Sequence, residues 1–218
     1  MKKIILLYFL FAIIIYADGK DPKKIYGREL FPSNATKQFV YESTFGETNT
    51  IALIQGEHIE TKSQSDIFKY FQKLDLKDDG LYVVTTYQWL KVLKIFTKEN
   101  NITYTTPLKR YALPLYVGLE WKDETTEIID GEPNQVTLNA KVLAEEEIQT
   151  LAGKFTALKI QTIVESVDGS KNIVTEWIAE NIGLVKSIIE IKGGGITGLI
   201  RDILGLGKLK FELKNIIN

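Results

Sequence analysis

The residues of this 218-residue chain that could do chemistry are few. Their spacing argues against most reactions. Gly193, Gly195 and Gly198, within "IEIKGGGITGLIRDILG", spell G-x-G-x-x-G directly after a strand-like run. A dinucleotide site needs that turn to open a helix, and a second parallel strand to carry an acid about 20 residues on. The pyrophosphate then rests on the helix N-terminus and the acid holds the ribose. Only twenty residues follow Gly198, and their acids, Asp202 and Glu212, come too early. A phosphate loop fails too, because Gly207-Lys208 is followed by Leu209 rather than Ser or Thr. Neither a nucleotide nor any other cofactor is expected.

His58 is the only histidine and cysteine is absent. Cys-His nucleophiles and zinc sites of the common N/S kind are thereby excluded, and any Ser-His-Asp arrangement would have to use this one residue. In "GEHIE" it reads as a surface histidine. Carboxylates are plentiful in "LAEEEIQ" (143–149) and "WKDETTE" (121–127). Glycoside hydrolysis needs only two of them facing each other across a scissile bond. Glu145 to Glu147 are consecutive on a strand, however, so they alternate in direction, and no pair stands out by spacing. No catalytic residue and no metal ligand is assigned, and the chain reads as non-enzymatic. The triplets Asn34-Ala35-Thr36 and Asn101-Ile102-Thr103 read as chance sequons in a bacterial chain.

The elements that must carry these residues begin with a targeting segment. "MKKIILLYFLFAIIIYA" places Lys2 and Lys3 before an apolar run from Ile4 to Ile15, with Ala17 ahead of the polar "DGKDPKK". This pattern predicts a signal peptide over 1–17, because a membrane span needs about 20 apolar residues. Periplasmic or secreted localisation follows, with no integral membrane segment after cleavage. Cleavage leaves 25 basic side chains against 28 acidic ones, a balance with no general attraction for nucleic acid. Residues 18–30 read as a loose lead-in, and 31–218 as one β-rich domain.

From Phe39 onward the period is two. Phe68, Tyr70, Leu74 and Leu76 alternate with charged residues, and Asp79-Gly80 supplies a hairpin turn; a helix capped by Ser65 is the rival for this run. The return, Leu81 to Thr97, is apolar on both faces, which predicts a covered central strand or a bulge. "KENN" (98–101) is read as the next turn. Further turns are expected at 151–154, 167–170 and 181–183, between alternating runs from Val136 to Ile191. A faint echo relates 31–110 to 113–192. Ile196, Leu199, Ile200, Ile203 and Leu204 recur at helical spacing and predict a short amphipathic helix over 196–204. Leu209, Phe211 and Leu213 alternate with charges, predicting a final strand at an exposed edge. The fold class is mainly β: a curved antiparallel sheet or half-barrel of hairpins with one short C-terminal helix.

"YALPLYVGLEWKDE" (111–124), "EEEIQTLAGKFTALKIQT" (145–162), "EWIAENIGLVKS" (176–187) and "LFPSNATKQFVYES" (30–43) together resemble an uncharacterised family of exported bacterial β-domains. That family is similar to periplasmic half-barrels of the lipoprotein-carrier type. The resemblance implies export and a sheet curled round a helix or a ligand; it implies no catalytic residue. Leu151 and Lys154 stand where the family's hairpin has Pro and Thr.

The leading expectation is a cell-envelope protein holding a lipid, a lipoprotein acyl chain or another hydrophobic ligand in the concavity of its sheet. Tyr87, Trp89, Leu93, Trp121, Trp177, Ile196, Leu199, Ile200 and Ile203 are its expected lining. The alternative is an interaction module acting through an edge strand or an aromatic patch. A carboxylate-based hydrolase stands third.

Overall fold

The computed structural model describes residues 23–32, 37–92, 96–193 and 207–217. Twelve antiparallel strands follow one another in chain order. They are β1 (Gln38–Ser43), β2 (Gly46–Gln55), β3 (His58–Gln64), β4 (Phe68–Lys77), β5 (Gly80–Val92), β6 (Phe96–Ala112), β7 (Glu120–Ile129), β8 (Glu132–Thr150), β9 (Gly153–Ser166), β10 (Ser170–Ala179), β11 (Gly183–Gly193) and β12 (Lys208–Ile217). Each pairs with its neighbours in sequence, and β1 pairs with β12, so the meander closes into a barrel. Its upper end carries the β1–β2, β3–β4 and later odd-to-even connections; its lower end carries the others.

Closure corrects the half-barrel expectation. It also pairs the final strand on both sides, with β1 and with β11, so β12 is no exposed edge. The Asp79-Gly80, 151–154, 167–170 and 181–183 turns lie where the sequence predicts them. Residues 98–101 do not turn: Lys98, Glu99 and Asn100 pair with Leu90, Trp89 and Gln88 inside the β5–β6 ladder. Polar composition alone misled there, since Asn100 faces inward and is buried. The run from Phe68 is strand β4, not a helix. The two-faced apolar pattern of β5 comes from bulges, with irregular pairing against both β4 and β6. The signal segment 1–17 and the helix expected over 196–204 lie outside the described residues, as do Gly195 and Gly198.

The core fills the lower lumen. Ile59, Leu74, Leu81, Val142, Leu158, Ile160 and Ile178 point inward there and are at most 3% exposed. The expected loose lead-in contributes to this core rather than dangling from it. Ile25 exchanges two backbone hydrogen bonds of 2.9 Å with Leu115, and after a single 3-10 turn (Gly27–Leu30) the side chains of Leu30 and Phe31 are buried in the same cluster. A second cluster joins Phe39, Tyr41, Trp177, Val185 and Leu213, with Ile148 and Phe155 of the long β8–β9 hairpin packed against it.

The outer wall is charged along its length. Ion pairs Lys122–Glu124, Lys141–Glu120, Lys171–Glu165 and Lys186–Glu212 lie on it, whereas the lipid-facing band of a membrane barrel is apolar. Among the described residues, no helix is long and apolar enough to cross a membrane.

Candidate functional site: a polar belt across the lumen

The site begins with a bulge. Leu81 pairs with Tyr111 and Tyr82 with Lys109, which leaves Arg110 as the extra residue of β6. An extra residue breaks the strict alternation of a strand, so Arg110 and Tyr111 both reach into the lumen while Lys109 stays outside, 2.8 Å from Asp79. From β6 the guanidinium spans the barrel. Arg110 Nη1 donates to Gln72 Oε1 of β4 at 2.8 Å, and Nη2 donates to Glu176 Oε1 of β10, also at 2.8 Å. Tyr111 donates its hydroxyl to the other oxygen, Glu176 Oε2, at 2.7 Å.

Three strands far apart in sequence are thus tied by one charged group. Thr86 lies opposite Gln72, whose Nε2 donates to the Thr86 hydroxyl at 3.4 Å. Burial opposes the charge of Arg110, but Tyr111, Glu176 and Tyr70 outweigh it and hold its pKa well above the usual value. Burial likewise pushes the phenols of Tyr70, Tyr104 and Tyr111 up, so all three stay neutral.

Arg110, deep in the molecule, still keeps 27% of its side chain accessible. Above it the inward-facing Tyr70, Tyr104, Val164, Val174 and Ile189 are only half-buried, while Asn100, Ile102 and Ile191 nearer the rim are buried. Asn100 Oδ1, Asn172 Oδ1 and Trp121 Nε1 are buried without a hydrogen-bond partner among the described residues. Asn100 and Asn172 both belong to the inward face.

The expected lining residues do not converge. Tyr87 and Trp89 are on the outer wall, where Tyr87 stacks on Phe71 with centroids 5.4 Å apart and Lys69 Nζ lies 5.0 Å from the Trp89 ring centre. Trp121 faces the lumen and packs edge-on against Tyr111 at 6.4 Å. Trp177 is on the opposite face of β10 from Glu176, under the β8–β9 hairpin, and donates to Glu146 Oε1 at 2.6 Å. Leu93, Ile196, Leu199, Ile200 and Ile203 lie outside the described residues. His58 is at the surface, 80% exposed, 2.7 Å from Asp75. Among the described residues no cluster of His, Asp or Glu could hold a metal ion. A groove of about 550 Å³ where β6 and β7 part is lined by Thr105, Thr106, Glu124, Thr125, Val136 and Val167, polar and apolar in similar measure.

Arg110, Glu176, Gln72 and Tyr111 were missed from sequence, although one signal was present. Glu176 shares its face of β10 with Val174 and Ile178, so it is a charge on the apolar side of an alternating run. No such signal marks Arg110, which the bulge alone turns inward.

No curated protein matches the chain. Three solved structures show a loose likeness of fold. A proposed lipoprotein from Parabacteroides distasonis is 12% identical with a TM-score of 0.43, over 89% of this chain and 100% of its own. A proposed exported protein with a YmcC-like fold from Bacteroides fragilis is 13% identical with a TM-score of 0.46, over 90% and 100%. The hypothetical lipoprotein YmcC from Escherichia coli is 12% identical with a TM-score of 0.44, over 88% and 89%. A family model described as DUF3108-like matches residues 98–193, from within β6 to the end of β11, and bears out over that span the resemblance to an uncharacterised β family.

Proposed function

We propose that the protein is an exported, non-enzymatic protein of the cell envelope that holds a lipid or other hydrophobic molecule in the upper lumen of its barrel. The observation that carries this reading is that Tyr70, Tyr104, Val164, Val174 and Ile189, in the upper half of the barrel, face inward and are only half-buried. Inward-facing aromatic and branched side chains, with a few polar groups at one end, suit an amphiphile. Export rests on the signal pattern of residues 1–17. The buried carboxylate speaks for a holding role over catalysis. Both oxygens of Glu176 are engaged, one by Arg110 and one by Tyr111, which leaves neither free to exchange a proton with a substrate.

Native mass spectrometry of the chain, exported by a bacterial host and purified gently, is expected to show an adduct of lipid mass. Protein without any adduct would sink this reading. A second reading, an interaction module, is supported by the Phe71–Tyr87 stack and Trp89 on the outer wall. The same spectrum separates the two, because a protein partner would co-purify as a polypeptide mass.

A further inference from the structure

One face of the outer wall departs from the rest in its charges. Every lysine of β8 to β11 has a carboxylate partner: Lys141, Lys154, Lys159, Lys171, Lys186 and Lys192 are all ion-paired. On β4 and β5 the pattern fails. Lys69, Lys73 and Lys91 form no ion pair among the described residues. Glu60 is directly opposite Lys73, yet its carboxylate is 3.4 Å from Lys62.

The register sets these lysines among aromatic rings. Lys69 is opposite Trp89, and Phe71 is opposite Tyr87 with Lys62 on its other side. Lys73 is one outward step below Phe71, and Lys91 one outward step above Trp89. Strands about 4.8 Å apart bring these side chains into one patch. The Phe71 and Tyr87 rings stack at 5.4 Å, and Lys69 Nζ is 5.0 Å from the Trp89 ring centre. Exposed Ile51 of β2 extends the patch beside Lys62. A face with Lys62, Lys69, Lys73 and Lys91 against Glu60 is thus cationic, on a chain that carries more acids than bases.

The residue types distinguish the partners such a face would suit. Protein interfaces are enriched in arginine and depleted of lysine, whereas every cation here is a lysine on a long, mobile stem. Nucleic acid finds no general attraction in an acidic chain. A bilayer surface takes Trp and Tyr at the level of its head groups, draws Lys to its anionic lipids and demands no fixed register.

We propose that the outer face of β3 to β5 docks on the surface of an anionic phospholipid bilayer. Trp89, Phe71 and Tyr87 meet the head groups, and the lysines around them meet the phosphates. The barrel lies on the membrane without spanning it, since the rest of its wall is charged. This face is outside the barrel, so the inference is independent of what the lumen holds.

Flotation of the exported chain with vesicles tests it. Binding to phosphatidylglycerol and phosphatidylcholine in equal parts is expected to exceed binding to phosphatidylcholine alone by at least about ten-fold, and to fall with added salt. Lys69→Gln with Lys73→Gln should weaken it about thirty-fold, each lysine at an anionic surface being worth about five-fold. Lys171→Gln with Lys192→Gln removes the same charge from β10 and β11, halfway round the ring, and should leave binding nearly unchanged. Equal losses from the two pairs would make total charge the cause and overturn the proposal. Equal binding to both vesicles overturns it too, as does binding to neither, which leaves the face to a protein partner. Where a variant fails to fold, lysine acetylation of the unsubstituted protein decides: anionic vesicles should protect Lys69 and Lys73 but not Lys171 and Lys192, and any other pattern counts against this face.

Discussion

A guanidinium and a carboxylate meet inside a barrel whose lower half is otherwise hydrocarbon, and the energetics of that pair are lopsided. Desolvating both charges offsets most of their attraction, so the pair adds little net stability; removing one partner strands the other. Glu176→Ala is therefore expected to lower the unfolding free energy by about 3–5 kcal/mol, read from urea denaturation. Arg110→Met combined with Glu176→Leu should recover most of that loss. A double variant as unstable as the single one would mean that the pair does more than fill the lumen. Glu127 gives a pH signature of opposite sense to an ion-paired carboxylate. Burial raises its pKa, so its contribution to stability is fully present below the unfolded value, about 4.3, and is lost as pH rises through the folded one. Glu127→Gln should therefore raise the melting temperature at pH 7 and leave it unchanged near pH 4. Equal shifts at both pH values would show that its carboxyl is not desolvated.

Among the elements, the segment from Ile25 to Phe31 acts as the lower plug, although its polar composition reads as a tail. Asn181 N donates to Glu29 O at 2.7 Å, and Gly183, at φ +92°, lets Leu30 O approach so closely that a Cβ there would lie 2.7 Å from it. Leu30→Ala is expected to cost about 2–5 kcal/mol by leaving a cavity. Gly183→Ala should destabilise as well, through strain and clash, with thermal melts as the check on both. If Leu30→Ala leaves the melt unmoved, the plug is not part of the cooperative core. The strands and most turns were legible in the sequence because alternation and Gly-containing turns are local signals. Three features were not. The plug depends on contacts with β4 and β11 far along the chain; the continuity of β6 through "KENN" depends on pairing with β5; and the inward turn of Arg110 depends on one bulge. The candidate site is built from these non-local features, whereas the aromatic residues singled out by type are divided among the outer wall, the lumen and the second cluster.

Taken as a whole, the molecule is a closed ring of strands with two unequal joints. At one, β6 and β7 share only the pairs Ile102–Ile129, Thr103–Ile128 and Tyr104–Glu127. Below them side chains substitute for the ladder: Thr106 N donates to Thr125 Oγ1 at 3.4 Å and Lys109 N to Asp123 Oδ2 at 2.6 Å. This joint falls between the two stretches related by the faint sequence echo. The other joint is the β1–β12 closure, where six pairs run from Gln38–Ile217 to Ser43–Phe211. Closure is what separates a lumen from a mere concavity, and it can be tested covalently because the chain has no cysteine to interfere. Glu42 and Glu212 are directly opposite across it, on the outer face. Antiparallel partners have Cα atoms about 4.5–5.5 Å apart, within the reach of a disulfide. Glu42→Cys with Glu212→Cys should therefore cross-link quantitatively on mild oxidation. The ion pairs lost there, an exposed one with Lys214 and a half-exposed one with Lys186, are surface pairs worth under about 1 kcal/mol each. Closing so long a loop should raise stability by up to about 4–5 kcal/mol, seen as a higher urea midpoint in the oxidised than in the reduced protein. Two thiols that stay free under oxidation would mean an open sheet in solution, and with it no lumen for the polar belt to divide.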